Sequence, residues 1–576
     1  MRHGEWAPVL AATALVLAAG GCGLRGTVDS EVGSPHPSVR AIDPPDRYTF
    51  VGRDTSINVD VSLPNVGQGV APGTLVASNI RLVRTSDGML VDATVNTSGG
   101  GDAIVLQPRG VLDARTDYDF YISRGVTDQS GASFVPFQSH FSTGDFTNVR
   151  LDPHYRYAIA PSPLYSGVPV SSVAFGPDGR LYATDLGGVV RRWAVNGDGS
   201  LGLMEEFRGL AGRTLIGIAF DPVRPNVIWV TTNAPVYVQP APDFSGTITR
   251  LTLDSRRRGF VALAEDVVVG LPRSAKDHMA NSLAFGPDGA LYVTVGSTTA
   301  SGAPDPAWYD RSERLLSAAV LRLDLRKLPE GTGPLDVTTE GGPSGRTYDP
   351  SDPDAPLTIY GDGLRNAYDL VWHSNGHLYC PTNSTSAGGD TPGSPPGVTP
   401  IVPALTNVST QDDSLFDVSP GGYYGHPDPA RGHYVLLGGN PTPGVDAEEV
   451  ASGADGGFYP VGVKPEPDWR RPVYNFSRNR SPDGAIEVKS GVFGGALRGW
   501  LLVAEYSAGD DILAIPIPAH GGVIDRTAVI QVASGLSDPV DLAEDVSTGN
   551  LYVAQLVEGG RGGGAIVLLR PDGGTP

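Results

Sequence analysis

The chain has 576 residues, of which 76 are glycine and 50 are proline, and only 18% are charged. This composition is typical of turn-rich β-structure and argues against helical bundles and coiled coils. The formal net charge of -21 repels phosphate backbones and argues against nucleic acid as a partner. The two cysteines, Cys22 and Cys380, lack a metal-type spacing, which argues against zinc and iron–sulfur sites.

The first 22 residues have the features of an export signal. The apolar run from Ala7 to Ala19 is too short to span a bilayer as a mature helix. It ends in small residues and Cys22, which resembles the bacterial lipobox, whose cysteine is acylated. We expect residues 1–22 to be a lipoprotein signal and Cys22 to anchor the protein to the extracytoplasmic face of a bacterial membrane, in the cell envelope. A plain secretory signal is the alternative.

A flexible tether and a first folded domain are predicted next. Residues 23–45 are rich in glycine, serine and proline and lack periodicity, which indicates a tether. Residues 46–145 contain short alternating segments such as Ser56–Val61, a pattern that predicts a β-sandwich. Their final third, LQPRGVLDARTDYDFYISRGVTDQSG followed by FSTG, resembles bacterial Ig-like domains of the surface-layer type. We expect a spacer, because no chemically reactive residues converge here.

Residues 150–576 contain a repeated unit of two apolar strands joined by a tight turn. Its clearest copies read SVAFGPDGRLYAT from Ser172 and SLAFGPDGALYVT from Ser282. Asp-Gly favours a tight hairpin, and a single blade cannot bury both of its faces. Six copies therefore predict a six-bladed β-propeller, with seven blades as the alternative. The predicted fold class is all-β, an Ig-like sandwich followed by a propeller.

Three residues are candidates for chemistry at one mouth of this propeller. His278 lies just before the inner strand of the third copy, and Arg365 and Asn366 lie just before that of the fourth. Equivalent places in a repeat lie on the same face. A histidine can take a proton near neutral pH, and an arginine can stabilise a developing negative charge. The structural alternative is that His278 caps a loop and Arg365 pairs with Asp369.

Three motifs, HMANSLAFGPDGALYVTVG, YGDGLRNAYDLVWHSNGHLY and PGGYYGHPD, resemble the glucose/sorbosone dehydrogenase family over about residues 165–570. The resemblance implies a six-bladed propeller that uses pyrroloquinoline quinone, often with calcium, to oxidise a sugar. It implies that His278 takes the hydroxyl proton while hydride passes to the quinone. It also implies that Arg365 and Asn366 contact the quinone and the substrate oxygen.

The sequence departs from this family at the residues that hold the cofactors. Residues 505–507 read Glu-Tyr-Ser where the family has a lysine, and residues 537–539 read Ser-Asp-Pro where it has arginines. Burying the carboxylates of the quinone without cations is costly. Of the family's acidic segment, Asp412 and Asp413 remain as candidate calcium ligands, and calcium needs several oxygen ligands.

Three functions therefore remain open. The first is an aldose dehydrogenase dependent on pyrroloquinoline quinone. The second is a non-enzymatic surface propeller that binds a glycan or a protein. The third is a lactonase-like hydrolase, for which Glu487, Glu505 and Asp541 are candidate metal ligands. We expect a monomer whose partner is a small sugar or a surface glycan.

Overall fold

The computed structural model describes residues 36–64, 69–97, 101–254, 256–329, 331, 333–340, 347–385, 388–444, 458–556 and 563–572. The predicted signal with Cys22, and residues 23–35 of the predicted tether, lie outside this range. The described residues contain strands and short 3-10 helices but no α-helix, which confirms the all-β prediction. None of their helices is long and apolar enough to cross a membrane. The 3-10 helices are Pro72–Thr74, Pro306–Trp308, Leu325–Lys327, Val492–Gly495 and Arg526–Ala528.

The first domain is a sandwich of two four-stranded sheets, with orders β1-β3-β6-β5 and β2-β8-β7-β4. Its strands are β1 (Ser38–Asp43), β2 (Tyr48–Val51), β3 (Ile57–Ser62), β4 (Ile80–Arg84), β5 (Ala93–Thr97), β6 (Ala103–Pro108), β7 (Asp117–Ile122) and β8 (Phe137–Thr143). The apolar faces of both sheets form one core, in which Val59, Leu82 and Phe120 are buried.

The domain begins earlier than the sequence predicted. Residues 38–43 were assigned to the tether, but they form β1, which pairs antiparallel with β3. The tether assignment was wrong here because Val39 and Ile42 pack against the core of the first domain. A single short strand among glycine, serine and proline leaves too weak a periodic signal to be recognised.

The remaining strands form six sheets in chain order, which we number as blades. Strands β9 (Arg150–Leu151), β10 (Tyr157–Ile159) and β11 (Tyr165–Ser166) come first. Blade 1 contains β12 (Val170–Phe175), β13 (Leu181–Asp185), β14 (Val190–Val195) and β15 (Leu201–Phe207). Blade 2 contains β16 (Thr214–Phe220), β17 (Val227–Asn233), β18 (Gly246–Leu253) and β19 (Ala262–Leu271). Blade 3 contains β20 (Ala280–Phe285), β21 (Leu291–Val295), β22 (Ala319–Leu323) and β24 (Leu357–Asp362), while the intervening β23 (Leu335–Asp336) joins blade 2.

Blades 4 to 6 follow the same plan. Blade 4 contains β25 (Val371–Trp372), β26 (Leu378–Thr382), β29 (Asp413–Val418) and β30 (Tyr474–Ser477), with a separate hairpin of β27 (Gly389–Thr391) and β28 (Leu405–Val408) inserted. Blade 5 contains β31 (Pro482–Glu487), β32 (Trp500–Glu505), β33 (Asp511–Pro516) and β34 (Ile530–Ser534), and β9 joins its edge. Blade 6 contains β35 (Pro539–Glu544), β36 (Leu551–Gln555) and β37 (Ala565–Pro571).

The six sheets form a closed ring. Each inner strand contacts the next one, in the order β12, β16, β20, β25, β31, β35, and β35 contacts β12 again. Strand β10, which precedes blade 1 in the chain, pairs antiparallel with β37 and supplies the fourth strand of blade 6. The start and the end of the propeller are thereby hydrogen-bonded within one sheet, blade 6. Blade 6 lies against blade 1, so neither blade has an exposed face where the ring closes.

The repeated Gly-Pro-Asp-Gly segments form hairpin turns between the first and second strands of blades 1 and 3. Gly179 has a φ of 72°, a conformation that glycine adopts without steric cost. The Tyr182 hydroxyl donates to Asp178 Oδ2 at 3.0 Å, and the Tyr292 hydroxyl donates to Asp288 Oδ2 at 3.1 Å. The motif GPDG-x-LY therefore repeats because its aspartate and tyrosine bind each other across the turn.

We predict that truncating the Tyr157 side chain destabilises the closed propeller. Tyr157 in β10 is 4% exposed, and its ring centroid lies 5.4 Å from that of Phe493. Tyr157→Ala should lower the free energy of unfolding by about 3 kcal/mol, because a large buried aromatic side chain is lost. Urea denaturation followed by tryptophan fluorescence measures this. Tyr237→Ala is the control, since Tyr237 is 76% exposed; equal losses in both variants would contradict the account.

Candidate functional site

The candidate residues lie on one edge of the ring, which we call the upper rim. It is the edge where each inner strand begins and each second strand ends. His278 precedes the inner strand β20, and Arg365 and Asn366 precede the inner strand β25. Gly296, directly after β21, lies between them: a Cβ added there would be 2.7 Å from His278 Cβ and 2.6 Å from Asn366 Oδ1. The structure thus brings these predicted residues together.

His278 is buried and held in one tautomer. The residue is 4% exposed. Its Nδ1 lies 3.0 Å from the Ser297 carbonyl oxygen and 3.0 Å from Ser297 Oγ. The Ser297 hydroxyl already donates to the Thr299 carbonyl, so both oxygens near Nδ1 act as acceptors. Nδ1 therefore carries the proton, and Nε2 keeps its lone pair.

The electrostatic surroundings keep this imidazole neutral. Burial is the largest influence that lowers the pKa of His278, and the positive charge of Arg365 lowers it further, well below the usual value. No described residue forms a hydrogen bond with Nε2. A neutral ring with a free lone pair on Nε2 is the form required of a general base.

A buried indole organises the cations of the site. The Trp308 ring lies 4.7 Å from the His278 ring, centroid to centroid. Arg365 lies 5.4 Å and the Lys276 ammonium 5.3 Å from the Trp308 centroid. Both cations are within cation–π range of the same ring. The site therefore contains two buried positive charges next to His278, of which the sequence analysis identified only Arg365.

Backbone and amide contacts fix Arg365 and Asn366. Arg365 Nε donates to the Ala300 carbonyl at 2.9 Å, and Nη1 donates to the Ser384 carbonyl at 2.6 Å. Asn366 Oδ1 accepts a hydrogen bond from Asn281 Nδ2 at 2.9 Å. Arg365 is thus held across the loops that follow the second strands of blades 3 and 4.

A buried carboxylate shapes the loop of residues 297–301, which holds both His278 and Arg365. Glu313 accepts hydrogen bonds from the Thr298 amide at 3.1 Å and from the Thr299 amide at 2.9 Å. His426 Nε2 lies 2.9 Å from Glu313 Oε1. Burial acts to raise the pKa of Glu313, but hydrogen bonds from His426 and from hydroxyl groups outweigh it and hold the pKa below its usual range. Glu313 is therefore an ionised positioning residue beneath the site.

Buried carboxylates and amide oxygens line the side of the upper rim next to His278 and Asn366. Asp277 Oδ1 and Asn383 Oδ1 are buried acceptors without a hydrogen-bond partner among the described residues. Asn383 Nδ2 donates to Asp483 Oδ1 at 3.0 Å. Burial raises the pKa of Asp483 well above its usual value, and neighbouring carboxylates, including Asp413 and Asp277, add to this. This side of the rim therefore offers hydrogen-bond acceptors in an acidic environment.

The predicted calcium ligands do not form a metal site. Asp413 accepts hydrogen bonds from the Ser384 and Ser481 amides, each at 2.8 Å, and Asp412 Oδ2 accepts one from Asn475 Nδ2 at 2.9 Å. Within the described ranges, no group of three or more His, Cys, Asp or Glu side chains could hold a metal ion. Asp412 and Asp413 are occupied by protein donors and do not fit calcium, which needs several oxygen ligands.

The lactonase candidates are not brought together either. Glu505 pairs with Arg480 at 2.8 Å. Asp541 accepts from the Val173 amide at 2.8 Å, and Glu487 accepts from the Ser374 amide at 3.0 Å. Each carboxylate has a separate protein partner, so these described residues do not support a metal-dependent hydrolase.

Sequence reasoning missed several residues of this site. Lys276 stands two positions before His278, and its proximity in the chain was the signal that could have identified it. Trp308 and Glu313 lie in the long connection between β21 and β22, which carries no repeat pattern. This connection begins at the upper rim, in the same blade as His278, and brings the Trp308 ring against the His278 ring.

Comparison with known protein families identifies the first domain. Residues 34–143 match the model for the bacterial Ig-like domain. This confirms the resemblance seen in the sequence, and we refer to this part as the Ig-like domain. No curated protein matches the chain significantly.

Several solved structures are similar to most of the chain. The aldose sugar dehydrogenase from Streptomyces coelicolor, in its PQQ-bound form, is 18% identical, with a TM-score of 0.44, over 73% of this chain and 99% of that one. A putative glucose dehydrogenase from Thermus thermophilus is 21% identical, with a TM-score of 0.42, over 72% and 100%. A calcium structure of a Trichoderma reesei carbohydrate-active enzyme of family AA12 is 17% identical, with a TM-score of 0.49, over 74% and 99%. At these values, no activity carries over to this chain.

We predict that His278 stays neutral across the range in which an ordinary histidine titrates. Its ¹⁵N shifts in selectively labelled protein should show the Nδ1–H tautomer from about pH 8 down to about pH 5.5, because burial and Arg365 oppose protonation. The folded pKa lies below the unfolded value, so the stability contribution is present above that value and is lost as the pH falls. His278→Gln assigns the signal, and exposed His520 is the internal control. Protonation of His278 near pH 6.5 would contradict the account.

We also predict that Glu313→Gln loosens the 297–301 loop. The NH2 group of glutamine would face one of the two amides, Thr298 or Thr299. One hydrogen bond is then replaced by donor–donor repulsion. The expected loss is about 3 kcal/mol of unfolding free energy, as for a broken buried pair. Thermal and urea unfolding measure it. Glu265→Gln is the control, because Glu265 pairs with Arg250 at the surface, where about 1 kcal/mol or less is expected. A loss no larger than in the control would show that Glu313 does not hold the loop.

Proposed function

We propose that the upper rim binds a sugar and that His278 takes the proton from one of its hydroxyl groups. The observation that carries this proposal is the buried, neutral His278 ring, with Nδ1 bound to Ser297 and the lone pair of Nε2 unused. A base in this state accepts a hydroxyl proton without first having to lose one of its own. The resemblance of three motifs to glucose/sorbosone dehydrogenases supports oxidation of the sugar, which requires a two-electron acceptor that the residues of this chain do not supply.

The acceptor groups of the rim favour a polyhydroxylated ligand. Asp277 Oδ1 and Asn383 Oδ1 are buried without a donor, and unpaired buried polar atoms are unfavourable. Sugar hydroxyl groups supply donors to both.

The cations support the proton transfer. When a hydroxyl group loses its proton, negative charge develops on its oxygen, and buried positive charges stabilise it strongly. Arg365, Lys276 and His278 all lie next to the Trp308 indole ring, and the two cations provide such charges. Their roles are to bind and orient the ligand oxygen while His278 receives the proton.

The rim lacks the lysine and arginines with which the family holds pyrroloquinoline quinone. Its three carboxylates need cations when they are buried. Two nitrogens of Arg365 are bound to protein carbonyls, and Glu505, at the position of the family's lysine, pairs with Arg480. Asp538, where the family has arginines, accepts a hydrogen bond from Asn96. We therefore assign no hydride acceptor to this chain.

Sugar or glycan binding without oxidation is the second candidate function. The aspartate at the position of the family's arginines, Asp538, disfavours the quinone but is compatible with neutral glycans. In either case we propose an exported protein, anchored through Cys22 to a bacterial membrane, that meets its ligand outside the cytoplasm. Residues 1–22, on which this localisation depends, were interpreted from sequence.

Calorimetric titration of neutral aldoses into the full chain tests the proposal. We expect saturable binding that Asp277→Asn weakens about tenfold, the effect of one hydrogen bond to a charged acceptor. Dye-coupled oxidation with and without added quinone and calcium then separates the two candidates. If turnover occurs, His278→Gln should reduce it by about a hundredfold or more, and His520→Gln, at an exposed site, should leave it unchanged.

Each result has a distinct meaning. Binding with quinone-dependent turnover would establish a dehydrogenase and show that the cofactor binds without the family's lysine and arginines. Binding without turnover would establish a sugar-binding propeller. Absence of binding to every aldose and polyol at millimolar concentration would contradict the proposed function.

A further inference from the structure

The Ig-like domain lies on the same edge of the propeller as the candidate site. Asp510 follows the second strand of blade 5, and Asp538 precedes the inner strand of blade 6. Thr410 lies between the second and third strands of blade 4. All of these positions belong to the upper rim, and all of them contact the Ig-like domain.

The contacts come from one sheet of the Ig-like domain, β1-β3-β6-β5. Thr94 Oγ1 in β5 donates to Asp510 Oδ2 at 2.7 Å. Asn96, in the same strand, donates to Asp538 through its amide nitrogen. Toward the opposite edge of the same sheet, Thr410 Oγ1 donates to Asp60 Oδ1 in β3 at 2.9 Å. The Arg40 guanidinium in β1 donates to the Asn407 carbonyl. One face of this domain therefore covers the rim over blades 4, 5 and 6.

The charge of this domain reaches the site itself. After burial, which lowers the pKa of Arg365, the largest influence on that pKa is the negative charge of Asp102 at the start of β6, which raises it. Asp102 thus supplies negative charge to the arginine that we assign to ligand binding. Arg365 is 7% exposed and His278 is 4% exposed, so little surface of either residue is open to a sugar.

The interface between the two domains is polar. No hydrophobic cluster of the described residues combines side chains of the Ig-like domain with those of the blades. A cavity of about 50 Å³, lined by Thr94, Arg109, Arg480 and Asp510, remains between them. Burial raises the pKa of Asp60 and raises that of Asp510 to about 6. Domain contacts of this kind permit relative motion.

We propose that the Ig-like domain is a reversible cap on the propeller, which blocks access to His278 when docked and must move away before a sugar can bind. The spacer predicted from sequence would thus also control access. The significance of the cap rests on the proposed function, whereas its docking is a property of the interface alone and can be measured without a ligand.

The test weakens the cap and measures access to His278. The variant is Thr94→Ala combined with Asn96→Ala, which removes two hydrogen bonds to the rim. The matched control is Thr116→Ala combined with Gln138→Ala, which changes similar side chains at the exposed side of the other sheet. Acylation by diethyl pyrocarbonate, followed by peptide mass spectrometry, reports the reaction rate of His278. Exposed His520 is the internal reference.

We expect the His278 rate to rise about tenfold in the cap variant, as for the loss of one or two hydrogen bonds, and to stay unchanged in the control. Small-angle X-ray scattering should show a larger radius of gyration for the cap variant alone. An unchanged rate together with an unchanged radius would overturn the proposal. A raised rate without any sugar binding would support the cap proposal and contradict only the proposed function.

Discussion

The structure depends on the closure of a ring of β-sheets. A blade has two apolar faces, and each is buried only when the next blade lies against it. The pairing of β10 with β37 meets this requirement by returning the start of the propeller to its last blade. Because every inner strand runs in the same direction within this ring, the segments before the inner strands converge on one rim. His278 and Arg365 are neighbours for this reason, although they are far apart in the chain.

The rim combines groups that would be unfavourable in isolation. A neutral imidazole, two cations on one indole ring and several carboxylates of raised pKa are buried close together. Glu313 connects them, because the loop that it holds supplies the Ser297 carbonyl to His278 and the Ala300 carbonyl to Arg365. A buried polar network of this kind is favourable only when most of its members are paired. The unpaired acceptors Asp277 and Asn383 are the exceptions, and they mark where a ligand with hydroxyl groups gains most.

Local patterns in the sequence predicted the parts of the structure that depend on local interactions. The Gly-Pro-Asp-Gly turns, the all-β class and the shared face of His278 and Arg365 followed from the repeat itself. Trp308 and Glu313 could not be predicted, because they lie in a long connection without periodicity between β21 and β22. Asp412 and Asp413 were adjacent acidic residues, but the sequence did not reveal that backbone amides and Asn475 occupy their oxygens. The covered rim was also beyond prediction, since docking of two domains depends on surfaces formed after each has folded.

The central claim is that the ligand of this protein binds at His278 on the upper rim. A crystal structure of the full chain, determined with a neutral aldose at high concentration, tests it most directly. The account predicts electron density for the sugar with one hydroxyl group within hydrogen-bonding distance of His278 Nε2 and others near Asp277 and Asn383, together with a displaced Ig-like domain. Sugar density elsewhere on the propeller, with the rim still covered and His278 without a ligand, would contradict it.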